Sequence, residues 1–405
     1  MAIADGVRGA LGSASRIRKM FEEGARLKAQ YGPEKVFDFS LGNPDVEPPP
    51  DFHRVLVNLA LEDAKGSHGY MPNGGYPQVR EAIAVKAGAE QGLPLKGSHI
   101  VMSVGAAGGL NVIFKAILNP GDEVIVSKPY FMEYRSYISN HGGRIVEVPA
   151  RPDFNLDISA IQARLSEKTA AVLINSPHNP TGRIYPAETL QALGEALQAQ
   201  GERQGRWPYL IADEPYRDIA YKPVPPVLPV YPESLAVTSY SKSLSLPGER
   251  IGYIAIHPAL RDGDDMAKAL IYATRILGFV NAPGLMQRIV AELTEVRVDP
   301  GIYARRREAL KQVLAGAGLE YAEPEGAFYL FCRVPGGDDE AFAAHLQEHL
   351  ILGVPGQGFG LSGWIRFAYC VDEEYILSSG GAFKKAMQTY KDYHGPSKTH
   401  CDKTP

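Results

Sequence analysis

The sequence predicts an α/β protein: a large domain with a mostly parallel sheet covered by helices on both faces, followed by a smaller α+β domain. Three observations lead there. Between Ile100 and Ile256, short apolar, β-branched runs alternate with helical stretches. Most of those runs end in loops carrying polar or glycine residues. After Pro283 the pattern changes to a charge-laced helical stretch from Leu285 to Leu314, interrupted near Pro300, and then to shorter strands around AFYLFCRV and WIRFAY.

The strands expected in the large domain are HIVMSV, DEVIVS, GRIVEV, AAVLINS, PYLIAD, LAVTSY and RIGYIAI. In open α/β sheets the ligand crevice lies beyond the carboxyl ends of the strands, so the residues just after these runs are the candidates for chemistry. The expected division is 1–45 for an N-terminal arm and part of the small domain, 46–283 for the large domain, 284–392 for the small C-terminal domain and 393–405 for a flexible tail.

Composition bounds the function classes. The 405 residues are 45% hydrophobic and 22% charged, which suits a globular protein with a large core. A formal charge of -4 offers no basic footprint for nucleic acid or an acidic membrane surface, which favours a small soluble substrate. The cysteines, Cys332, Cys370 and Cys401, lack CxxC spacing, so neither a zinc site nor a disulfide framework is expected and a reducing cytoplasm fits. No apolar run is long enough to span a bilayer. The basic, small-residue-rich N-terminus shares features with transit peptides, but Asp5 and the helical pattern Ile17, Met20, Phe21, Ala25, Leu27 read as an arm and helix.

Four segments carry chemistry. In Ser239-Tyr-Ser-Lys-Ser-Leu-Ser-Leu-Pro-Gly-Glu-Arg250, Lys242 follows an apolar strand, and partial desolvation there suits a nucleophilic amine for Schiff-base chemistry. Ser239, Ser241 and Arg250 could surround a phosphate; a solvated loop lysine is the plain alternative. Asp213, ending LIAD, needs a cationic partner if buried, and a pyridinium nitrogen would serve; a helix N-cap is the alternative. Tyr216 and Asn179, the latter in the turn-forming loop NSPHNPTG, could both hydrogen-bond a ring oxygen, with His178 beside them a packing residue. Gly105-Ala-Ala-Gly-Gly109 joins a strand to a helix, offering backbone N–H groups and a helix dipole to a phosphate, although neither GxGxxG nor GxxxxGK[ST] is present.

Taken together and in this order, the segments resemble the class I/II (fold-type I) aminotransferases that depend on pyridoxal 5′-phosphate (PLP), and are aspartate aminotransferase-like, over Ser40 to Arg366. The resemblance implies fold type I, a homodimer with shared active sites, and ping-pong amino transfer from an α-amino acid to a 2-oxo acid, with 2-oxoglutarate as the expected acceptor. It implies that Lys242 carries the cofactor and shuttles the proton, that Asp213 partners the pyridine nitrogen, and that Tyr216 and Asn179 partner the ring hydroxyl. Phosphate would be held by Ser239, Ser241, Arg250 and the N–H groups of Ala106 and Ala107, with Phe131 in PYFMEY stacked on the ring. Tyr70 matches the tyrosine that reaches the neighbouring subunit's phosphate. Arg366 matches the clamp on the substrate α-carboxylate, and Gly42 the glycine beside it, where a strand residue pointing to water is the alternative for Arg366.

The sequence departs from aspartate-specific relatives that place a lysine just after the phosphate-loop glycines; here Ala106 and Ala107 stand there, and Arg275 is the alternative cation. Two other outcomes share this fold: a C–S lyase or another β/γ-eliminating enzyme, and a PLP-binding regulator, which would need a DNA-binding module that the residues before Ser40 are too few to form.

Overall fold

A computed structural model of the chain describes residues 3–4, 7–8, 16–62 and 65–394. They fall into two compact units. The larger takes in Asn43–Ile302 and Glu323–Phe328, and the smaller takes in the chain up to Gly42, Tyr303–Ala322 and the residues from Tyr329 on.

The larger unit is built on a seven-stranded sheet: β1 (Ile100–Ser103), β2 (Glu123–Lys128), β3 (Arg144–Pro149), β4 (Thr169–Asn175), β5 (Tyr209–Asp213), β6 (Ser234–Ser239) and β7 (Gly252–Ile256). Their spatial order is β1-β7-β6-β5-β4-β2-β3. Only β7 runs against its neighbours, pairing antiparallel with both β1 and β6. All seven coincide with the runs expected from sequence, because β-branched and aliphatic residues fit a pleated surface buried on both sides.

Alternation within the strands divides the interior into two cores. Val172 and Ile174 of β4 join one apolar cluster with Leu210, Ala212 and Ala236; Ala171 and Leu173 join the other with Ile211, Leu235 and Val237. Helices cover both sides. Helix Pro77–Gln91 supplies Val79, Ile83 and Ala87 to the first core, and helix Gly105–Ile117 supplies Leu110, Ile113 and Phe114 to the second.

The smaller unit holds a four-stranded antiparallel sheet, in the order Val354–Pro355, Trp364–Ala368, Tyr329–Arg333 and Tyr321–Ala322, and a parallel pair, Phe37–Asp38 with Ile351–Leu352. The two longer strands are those read from AFYLFCRV and WIRFAY, with Phe331 opposite Arg366. Lys28, on helix Arg16–Tyr31, donates to Asp38 Oδ2 at 2.7 Å, tying the N-terminal helix to the short parallel pair.

The expected boundary at 283/284 needs correction. Helix Gly284–Glu292 packs on helices Pro50–Glu62 and Pro77–Gln91 and belongs to the larger unit, which ends at Ile302. Its buried face, Met286, Ile289 and Val290, completes the first apolar core. Asn43–Asp45 and the excursion Glu323–Phe328 likewise belong to the larger unit rather than to the arm or the small domain. At the C-terminus the last helix, Gly380–His394, runs into the stretch expected as tail, and 395–405 lie outside the described residues, as does Cys401.

Candidate active site

Three parallel strands end side by side and carry the candidate residues past their carboxyl ends. Register pairs Asn175 with Asp213 across β4 and β5, and β6 lies on the other side of β5. Just after β6, Lys242 sits in a single helical turn, Tyr240–Ser243, and not in an open loop. Its Nζ lies 5.2 Å from the centroid of the Phe328 ring, which meets the Tyr216 ring edge-on at 5.4 Å. A partly buried amine against an aromatic face is no solvated surface lysine.

Asp213 is 6% exposed, and the chain turns after it without entering a helix, so the N-cap alternative does not hold. Asn175 ties two functional loops together: its Nδ2 donates to the Asp213 carbonyl at 2.8 Å, and its Oδ1 accepts from the Asn179 backbone N–H at 2.7 Å. Asp213 Oδ2 accepts from the Tyr134 hydroxyl at 2.5 Å, whereas Oδ1 is buried with no donor among the described residues. Burial pushes the carboxyl up to about 7; the Tyr134 hydrogen bond pulls it back and the Glu214 charge pushes the same way as burial. A buried carboxylate oxygen without a donor is costly and calls for a ligand cation or N–H.

The opposite edge of the site is shaped by Gly252, which pairs with Ser239 of β6 on one side and Ser103 of β1 on the other. Two residues beyond Ser103, Gly105 opens helix Gly105–Ile117 at φ 67°, a left-handed conformation that favours glycine. A side chain there would come within 2.9 Å of the Arg250 guanidinium. No side chain caps this helix start, so the N–H groups of its first turn, including those of Ala106 and Ala107, are offered outward beside Arg250 and Ser239. Arg250 is exposed and anchored by donating to the Pro247 carbonyl at 3.0 Å. Ser241 lies on the same turn as Lys242 and is buried.

Phe131 is half-buried and meets the Tyr134 ring edge-on at 5.6 Å. His178 is buried, its Nδ1 lies 2.8 Å from Thr181 Oγ1, and burial pushes it down to about 4, so it stays neutral and packs. Tyr70 is 95% exposed and is not gathered into this cluster.

In the smaller unit, Arg366 is 2% exposed and does not point to water. Its Nη2 donates to the Ser40 carbonyl at 2.8 Å, and its guanidinium lies 4.3 Å from the Tyr329 ring centroid and 4.7 Å from that of Phe359. Gly42 shares that surrounding: a side chain on it would meet the Tyr329 hydroxyl at 2.1 Å. Sequence reasoning missed Asn175, Tyr134 and Phe328. The only signal was position, Asn175 opening NSPHNPTG, Tyr134 closing PYFMEY and Phe328 beginning a strand.

A ring with a protonated nitrogen would satisfy Asp213 Oδ1, and a phosphate would satisfy the helix start with Arg250; PLP presents both. Fold and site therefore define a PLP-dependent enzyme of the α/β type. The family described as aminotransferase class I and II matches residues 34–377. The chain is 32% identical to the probable aspartate/prephenate aminotransferase of Aquifex aeolicus (strain VF5), over 87% of this chain and 91% of that protein. A solved aminotransferase of Eubacterium rectale superposes with a TM-score of 0.92 at 37% identity, covering 96% of this chain and 99% of that one. Aspartate aminotransferase of Thermus thermophilus with maleate gives a TM-score of 0.84 at 28% identity, covering 92% and 97%. The chain belongs to the class I and II aminotransferase family and is a PLP-dependent aminotransferase, acting on amino acid and 2-oxo acid substrates. Among the described residues no helix is long and apolar enough to cross a membrane.

Proposed function

We propose that this enzyme moves the amino group of an α-amino acid, aspartate among the donors, to 2-oxoglutarate by a ping-pong mechanism. The observation that carries the assignment of the site is the buried Asp213 Oδ1 without a protein donor. The names of the relatives support an acidic donor. Ala106 and Ala107 supply no cation for a distal carboxylate, so that contact must come from elsewhere, and Arg275 is exposed on helix Gly263–Ile276.

When bound, PLP supplies an electron sink that acidifies the substrate Cα–H. Lys242 would hold the cofactor through Nζ, and the same amine, when free, would take up the substrate Cα proton and pass it to the cofactor carbon C4′ that Lys242 had occupied. Asp213 would hold the proton on the ring nitrogen, while Tyr216 and Asn179 would donate to the ring's phenolic oxygen. Ser239, Ser241, Arg250 and the first-turn amides would hold the phosphate, and Phe131 would cover the ring. Arg366 binds the substrate α-carboxylate beside Gly42; a buried guanidinium braced by two aromatic rings is suited to that task. Tyr70 contacts the cofactor phosphate of a second copy in a homodimer, a role its 95% exposure in the single chain supports. The buried thiols Cys332 and Cys370, neither of them in a disulfide among the described residues, suit the reducing cytoplasm.

A panel of amino donors assayed with 2-oxoglutarate tests the assignment. Aspartate should be turned over; activity confined to aromatic or aliphatic donors would overturn the acidic donor. Ammonia and pyruvate from a cysteine-type donor without amino transfer would instead mark an eliminating enzyme. Lys242→Ala should abolish transfer and the visible absorption of the bound cofactor.

A further inference from the structure

The two oxygens of the Asp213 carboxylate face different surroundings. Oδ1 meets no donor among the described residues, whereas Oδ2 accepts from the Tyr134 hydroxyl at 2.5 Å. Tyr134 lies on helix Glu133–Ser139, is 2% exposed, and is clamped on two sides. The Tyr130 ring lies nearly parallel to it, with centroids 6.4 Å apart and planes 7° from parallel, and the Phe131 ring meets it edge-on. Tyr130 is fixed in turn, its hydroxyl donating to Glu147 Oε1 at 2.5 Å and accepting from Arg135 Nε at 2.6 Å. A phenol held this way keeps its hydroxyl on one acceptor. Burial and the Asp213 charge both oppose its ionisation, so it acts as a donor throughout the working pH range.

We propose that Tyr134 is a positioning residue for amino transfer: by holding Oδ2 it fixes the Asp213 side chain and favours its ionised form, so that Oδ1 is presented to the ring nitrogen. The proposal rests on the assignment of Asp213 as partner of that nitrogen. The other groups that bear on this carboxylate are Glu214 on its own loop and Tyr137 on the tyrosine's helix; Tyr216 acts on Tyr134, and Arg250 acts on Tyr137. Glu214 raises the carboxyl, and burial raises it more, which leaves the Tyr134 hydrogen bond as the contact that opposes both. The tyrosine does not touch the reacting atoms and exerts its effect through Asp213.

The test uses cofactor-free protein labelled with carbon-13 at the aspartate carboxyls, the Asp213 signal being assigned by its loss in Asp213→Asn. In Tyr134→Phe the titration midpoint of that signal should move up by about one pH unit or more, the effect of losing a hydrogen bond to a charged group. A fluorotyrosine incorporated at position 134 keeps the ring and makes a more acidic donor; it should move the midpoint down, and it serves as the test if the Phe variant does not fold. The dissociation constant for PLP added to the Phe variant should rise on the order of tenfold. With reconstituted enzyme, the deficit of Tyr134→Phe in kcat should narrow as pH rises, since alkali ionises Asp213 without help. An unmoved midpoint in a folded variant overturns the proposal. Because that titration contains no cofactor, it is separable from the Asp213 assignment, which fails instead if Asp213→Asn binds PLP and turns over donors as the wild type does.

Discussion

At the scale of residues, the site is a set of groups that the folded chain leaves with one chemical demand unmet. Asp213 is the clearest: buried, given one donor, and denied a second. Replacing it by Asn should lower kcat on the order of 10²-fold while PLP still binds through Lys242, measurable by steady-state turnover alongside the visible spectrum. The same residue makes the cofactor-free protein sensitive to pH. Its folded value of about 7 stands above the ordinary 3.8, so its contribution to stability is full below about pH 4 and is lost as pH rises to 7. Thermal melts of cofactor-free wild type and Asp213→Asn should therefore diverge over that window, the wild type losing stability relative to the variant. Added PLP should reverse the loss by binding only the folded form.

At the scale of elements, the sheet was legible because its strands are β-branched and aliphatic runs bounded by turn residues, and those in its middle are buried on both faces. The two-residue strands Phe37–Asp38, Tyr321–Ala322, Ile351–Leu352 and Val354–Pro355 were not, since so short a run carries no period. Helix Gly284–Glu292 was assigned to the wrong unit for a related reason: an amphipathic helix shows that one face is covered without showing by what. Glycine placement at the junction of β1, β6 and β7 gives a prediction at this scale. A Cβ on Gly252 would come within 2.4 Å of the Thr238 carbonyl oxygen and 3.1 Å of the Gly105 carbonyl carbon. Gly252→Ala should destabilise the protein by about 1–3 kcal/mol in urea unfolding and weaken PLP binding, because the strand must move away from the helix start.

At the scale of the whole molecule, the proposed homodimer gives a complementation experiment. If Tyr70 completes the site of a second copy, Tyr70→Ala and Lys242→Ala proteins should each bind or use PLP poorly, whereas hybrids formed by mixing them contain one site with both residues intact. Activity should reappear on mixing, up to about a quarter of the wild-type level for random pairing of the two subunits. Sedimentation should report a dimer at the same concentrations; a monomer, or mixed proteins no more active than their parents, removes the shared-site assignment.

The sequence by itself determined the α/β class, the seven strands, the segment bearing Lys242 and the family, because local periodicity and short motifs are properties of neighbouring residues. For Asp213 the residues alone favoured a helix cap, and only the family resemblance made it the expected partner of the cofactor nitrogen. Only the tertiary structure removed the helix cap, since the chain turns after Asp213 without entering a helix. Whether a carboxylate oxygen is buried, and whether any donor faces it, depends on residues far apart in the chain: Tyr134 on one helix, Asn175 on the adjacent strand and Asp213 between them. The same holds for Arg366, whose alternating strand position could face water or core until Tyr329, Phe359 and Ser40 were seen to enclose it.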